Sequence, residues 1–172
     1  MRIPKSLGVA IIVVALTGLS MVLAVSALGA KGDDNGQGQP NGPLLRAALA
    51  PPKPAPTDPM IHGVNPGGVP WVLKRGDVRL KRDGTFRLRL QGLVIPDLGT
   101  PGPVEMVSAS LYCAPDSDTK AAATTDTVPI SQSGDARINT SVSAPSTCLA
   151  PVVLVHPNGS LAAYIAVTGF RP

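Results

Sequence analysis

His156 closes an apolar run in VLVHPNGSLAAYI (Val153–Ile165) and is one of two histidines in 172 residues. An imidazole there could take a proton from a serine, ligate a metal, or end a strand ahead of a turn. Nucleophilic catalysis asks for a Ser, Thr or Cys within hydrogen-bond reach and a third group that orients the ring. Serines are plentiful, but there is no GxSxG elbow and no HExxH or HxxEH pattern. Glu105 is the only glutamate, so any carboxylate pair for acid–base work must use aspartates. The residues after His156, Pro157-Asn158-Gly159-Ser160, form a turn cluster whose Asn-Gly supplies positive-φ positions. His156 therefore reads as a strand end rather than a catalytic base. His62, in MIHGVNPGG, sits beside a proline-rich stretch and is assigned no chemistry.

Three other groups have chemical potential. Cys113 and Cys148 are the only cysteines. With no CxxC and no closely spaced histidine to complete a zinc set, they read as one disulfide in an oxidising compartment. Asp116-Ser117-Asp118 alternates carboxylates as a calcium loop does, but the following glycine and the closing glutamate are absent. It reads as a solvated loop, so neither a metal nor a cofactor is expected. Asp135, after Ser133-Gly134, reads as a turn residue opening a strand. Arg79, Lys81, Arg87 and Arg89 alternate with apolar residues and would make a basic stripe on one sheet face. Such a stripe can hold phosphates or an anionic wall polymer. Nucleic acid is not expected, because no stacking aromatics interleave with it.

Composition sets the frame for these groups. Nineteen prolines and 18 glycines accompany 44% hydrophobic but only 3% aromatic residues, which favours a core of aliphatic strands separated by turns. The net charge is +4, and without Arg2 and Lys5 it is +2, no polyanion-binding signature by itself. Its distribution is uneven: Lys74–Arg89 holds seven basic and two acidic residues, and Asp97–Asp135 six acidic residues and one lysine. The two regions are expected to neutralise each other across neighbouring strands.

MRIPKS followed by the uncharged run Leu7–Ala30 is an export pattern. Residues 1–30 read as a signal peptide cleaved after Ala27, Gly29 or Ala30, or as a membrane anchor through residues 7–28, which are long enough to span a bilayer. Both place the remainder outside the cytoplasm. Residues 31–62 read as a Pro/Gly-rich disordered linker, with one or two helical turns at Leu44–Ala50.

Residues 63–172 read as the folded domain. Short apolar runs at roughly ten-residue spacing predict strands near Trp71–Lys74, Asp77–Lys81, Phe86–Leu93, Val104–Cys113, Ala121–Thr125, Thr127–Ser131, Ala136–Val142, Leu149–Val155 and Leu161–Thr168. The fold class is all-β, a small antiparallel sandwich of immunoglobulin-like type or else a small barrel. In DVRLKRDGTFRLRL a three-residue loop, Arg82-Asp83-Gly84, pairs Leu80 with Phe86, Val78 with Leu88, Arg79 with Arg87 and Asp77 with Arg89. A two-residue loop would mix the faces. Val152–Val155 and Leu161–Val167 are apolar on both faces, which predicts a strand pair covered on both sides.

The segments GGVPWVLKRGDVRLKRDG, FRLRLQGLVIP, VSASLYC, ATTDTVPIS, GDARI and CLAPVVLVHPNGSLAAYIAVTG together resemble a group of secreted proteins of unknown function from high-GC Gram-positive bacteria. The resemblance spans Gly63–Gly169 and implies export, a Cys113–Cys148 pair and a small β domain; it brings no catalytic residues. The expectation is a non-catalytic extracytoplasmic module that binds a cell-envelope protein or polymer. Anionic-polymer binding by the basic stripe is one alternative. A hydrolytic enzyme, with His156 or an aspartate meeting a serine in a concave site, is the other.

Overall fold

The structure, a computed structural model, describes residues 42–113 and 115–169. The signal or anchor segment and linker residues 31–41 lie outside the described residues. Among the described residues all regular structure is strand: β1 (Pro43–Ala50), β2 (Asn65–Pro66), β3 (Arg75–Lys81), β4 (Thr85–Gln91), β5 (Met106–Tyr112), β6 (Ala123–Thr124), β7 (Val128–Pro129), β8 (Ala136–Ser141), β9 (Val152–Pro157), β10 (Ala163–Tyr164) and β11 (Ala166–Thr168). The expected all-β class is observed.

Nine strands make one antiparallel sheet in the order β6-β5-β9-β11-β1-β3-β4-β8, with β7 also paired to β5. The sheet curls into a half-barrel because β1 belongs to both of its layers. Arg46, Ala47 and Ala48 pair with Arg79, Val78 and Asp77 of β3 in the front layer, while Leu49 and Ala50 pair with Thr168 and Val167 of β11 in the back layer. A register shift between Pro43 and Leu45 marks the start of β1, ahead of the switch between layers at Ala48–Leu49. The fold thus lies between the sandwich and the barrel.

Alternation fills the space between the layers. Val78, Leu80, Phe86, Leu88, Leu90 and Ile138 come from the front, Val107, Ala109, Leu111, Val153 and Val155 from the back, and all are buried. Each fully buried large aliphatic or aromatic residue contributes about 1.5–3 kcal/mol of transfer free energy. The β3–β4 hairpin has the expected register, Leu80 opposite Phe86 and Asp77 opposite Arg89. Gly84 closes it at φ 83°, where a Cβ would run into the Val142 carbonyl.

The back layer is covered on both faces, as its apolar strands predict. A second buried cluster, Val64, Tyr112, Leu154 and Tyr164, lies on the side away from the main core. The chain from Pro51 to Pro66 supplies that cover, with β2 running parallel to β10. The Tyr164 hydroxyl donates to the Pro59 carbonyl at 2.8 Å, and the Trp71 N–H to the Pro52 carbonyl at 3.3 Å.

The linker reading of residues 31–62 is therefore corrected from Pro43 onward. Leu44–Ala50 is a central strand, not helical turns, although Leu, Arg and Ala are strong helix formers. Partners on both sides and apolar contacts at Leu45, Ala47 and Leu49 override that propensity. The prolines after it need no ladder partner for the amide they lack, and their restricted unfolded state lowers the entropy lost on ordering.

Cys113 and Cys148 form a disulfide closing a 35-residue separation, a loop for which the chain-entropy model gives about 4 kcal/mol. The bond is compatible with an extracytoplasmic location. The role of β1 has a direct mutational check. Leu49→Ala should lower unfolding free energy in urea by about 2–3 kcal/mol, whereas a tether residue would change it by under about 0.5 kcal/mol.

Candidate functional site

The register of the front layer assembles a cationic plate on its outer face. Partnered residues on adjacent strands share a face, so one row reads Arg46, Arg79, Arg87, Asn139 and the next Ala48, Asp77, Arg89, Arg137. Strand spacing places neighbours in a row about 4.8 Å apart, and successive rows lie about 6.8 Å apart along each strand. Lys81 extends the plate at one end, where it pairs with Pro43. Arg46, Arg79, Arg87 and Arg137 are exposed, and Arg89 is half-buried at the centre.

Two carboxylates border the plate, Asp77 within its second row and Asp135 at its edge, where Asp135 shares a groove with Arg89 and Arg137 and accepts from the Gly92 N–H at 3.0 Å. Asp77 Oδ1 lies 4.0 Å from Arg75 Nε. Arg89 Nε is buried and has no hydrogen-bond partner among the described residues. Shallow grooves flank Arg89: one of about 700 Å³ bordered by Arg46, Arg75 and Arg79, another of about 220 Å³ bordered by Arg87, Arg137 and Asn139. Of the acidic stretch, Asp135 shares a groove with Arg89 and Arg137. Asp116 and Asp118 bind backbone amides instead, accepting from His62 at 2.6 Å and Lys120 at 3.0 Å.

The first row runs through four strands and the plate draws on β1, β3, β4 and β8, so folding alone brings these arginines together. Arg79, Lys81, Arg87 and Arg89 were legible from the hairpin's alternation. Arg46 was hidden by the linker reading of its strand. Arg137 was legible in principle, because it alternates with the buried Ala136 and Ile138, but its adjacency to Arg89 needed the β4–β8 pairing.

Both histidines are buried, for different reasons. His62 stacks on Tyr112 with ring centroids 4.4 Å apart, and its Nδ1–H donates to the Asp118 carbonyl at 2.8 Å. Its φ of 50° is a left-handed conformation held by the Asp116 carboxylate on its N–H. The Asp116–Asp118 segment thus acts as a clasp between the proline-rich cover and β5.

His156 is the penultimate residue of β9 and 0% exposed. A carbonyl can only accept, so the 2.8 Å contact between Nδ1 and the Ala163 oxygen fixes the proton on Nδ1. Nε2 is buried without a partner, and so is Oγ of Ser108, which lies directly opposite His156 in the β5–β9 ladder. The ladder sets a serine opposite an oriented imidazole, but Nε2 and Oγ make no hydrogen bond to each other, so the contact that nucleophile–base chemistry requires is not formed. The fold places Ser108 and His156 under the β2–β10 cover, 2% and 0% exposed. The pair is buried, whereas the arginines of the plate other than Arg89 are exposed.

No protein-family model, curated protein or solved structure matches this chain.

Burial pushes the His156 pKa below its ordinary 6.5, against a smaller opposing effect of the Ala163 hydrogen bond. The unfolded chain then binds more protons than the folded one as pH falls through about 6.5. Stability is full above that pH and declines below it, toward the lowered folded-state value. Urea midpoints between pH 7.5 and 5.5 should fall in the wild type and stay flatter in His156→Asn, whose amide cannot titrate.

Proposed function

We propose that this domain is an extracytoplasmic, non-catalytic binding module for a phosphate-bearing anionic polymer of the cell envelope. The observation that carries the reading is the plate: Arg46, Arg79, Arg87, Arg89 and Arg137 on one sheet face, four of them exposed among the described residues, against two carboxylates, Asp77 and Asp135. A guanidinium presents donors in a planar fork that fits phosphate oxygens. Holding such forks on strands costs less side-chain ordering than recruiting them from loops.

Recognition of this kind is electrostatic and tolerant of the polymer's exact repeat. The two-dimensional array lets a chain cross the strands along the arginine row or run diagonally over Arg89. The export signal, the disulfide and the resemblance to secreted proteins support placing the module outside the cytoplasm, where such polymers occur.

Binding of a poly(glycerol phosphate) chain tests the reading. Neutralising four to five phosphates implies a log affinity–log salt slope of about −3 to −4, so affinity should fall about 100-fold between 50 and 200 mM salt. Arg79→Glu with Arg87→Glu, both exposed, should weaken binding at least about ten-fold and flatten the slope by about two while leaving the fold intact. Salt-independent binding, or full binding by the double variant, would contradict the proposal.

A further inference from the structure

The strongest feature the plate leaves unused is an apolar mouth elsewhere in the domain. A cavity of about 600 Å³ opens between the Gly67–Trp71 segment, the 95–104 loop and the β9–β10 connection. Trp71, Ile95, Val104 and Ile165 form its buried floor, while Val69 and Leu98 stand at its rim, 41% and 57% exposed. Its size lies in the range of small-molecule sites.

The walls are built to stay open. Gly67 has no Cβ; one placed there would meet Trp71 Nε1 at 2.8 Å and Ile165 Cγ2 at 3.4 Å, so the indole and the backbone approach only because that residue is glycine. At neighbouring Gly68 a Cβ would meet nothing within 4 Å, so the wall there is bare backbone beside open space. The floor residues are held by strand and bridge contacts: Val72 and Val94 bridge beside Trp71, and Ile95 bridges Thr100 within the loop. The surface is therefore preorganised and apolar rather than a collapsed loop.

Charge selects the occupant. Asp97 is the sole charged residue lining the mouth, and none of the plate's arginines reaches it. A fatty-acid-like carboxylate would be repelled by that aspartate, and a polyanion would find no cation there. We infer that this mouth binds a small amphiphile with an apolar body and a cationic end, the body on Trp71 and the cation toward Asp97. This site has the opposite charge preference from the plate and does not rest on the polymer-binding reading.

Trp71 is the only tryptophan in the chain, so emission excited on the red edge, where tyrosine does not absorb, reports on this mouth. Three probes share an eight-carbon chain and differ in charge: octylammonium, 1-octanol and octanoate, each titrated below its micellar range. Saturable change in Trp71 emission is expected with octylammonium tightest and octanoate weakest. Because Asp97 is exposed, the advantage of octylammonium over octanol should be about two- to five-fold. Asp97→Asn should abolish that advantage and leave octanol binding unchanged. Leu98→Ser should weaken all three, and Arg79→Glu with Arg87→Glu none. Absence of saturable change with octanol and octylammonium would overturn the site. Equal binding of the three probes, or a charge order that survives in Asp97→Asn, would overturn its cation preference.

Discussion

The bend in β1 is the constraint on which the rest of the molecule depends. Its first six residues complete the front layer and its last two begin the back layer. Removing it would leave two open sheets, each with a new unpaired edge beside an apolar face. The shared strand fixes how far apart the layers sit, and therefore which side chains meet in the core. It also supplies Arg46 to the plate, so the same eight residues serve closure and the surface chemistry. Their character reflects that double use: Leu45, Ala47 and Leu49 face inward, and small Ala48 stands outward beside Asp77.

The back layer solves a different problem. Its strands are apolar on both faces, and one of those faces would be left in water by a half-barrel alone. The chain leaving β1 returns across that face as a proline-rich cover, fastened by Tyr164 on Pro59, by His62 stacked on Tyr112 and by the Asp116 clasp. Burying His156 and Ser108 beneath it sets two polar atoms without partners into a face whose other polar groups, such as Tyr164 and Ser110, are hydrogen-bonded. The cover is thereby sensitive to protonation in a way the main core, built from uncharged aliphatics, is not. Both histidines are buried in this layer.

Much of the sheet was legible because strand parity is a strict code. In the β3–β4 hairpin only one register keeps the apolar residues on one face, and it is the one observed. The double coverage of β9 followed from its unbroken apolar run. The disulfide followed from having two cysteines and no other chemistry for them. Residues 43–62 were misread because composition dominates where alternation is weak: LLRAALA has helix formers at every position, and a proline run resembles a tether. What decides their structure is pairing with strands some 30 and 120 residues away, which a local pattern does not contain. The mouth around Trp71 escaped for the same reason, since its floor draws on segments from Trp71 to Ile165.

Native-state hydrogen exchange resolved to single amides tests the central claim most directly. Opening energies report whether a segment unfolds locally or only with the whole domain. If β1 joins the two layers, the bonded amides of residues 45–50 should exchange as slowly as those in the middle of β4 and β9, through global unfolding. Rapid exchange across residues 45–50, with β4 and β9 still protected, would show that the layers hold together without the shared strand and would contradict this account.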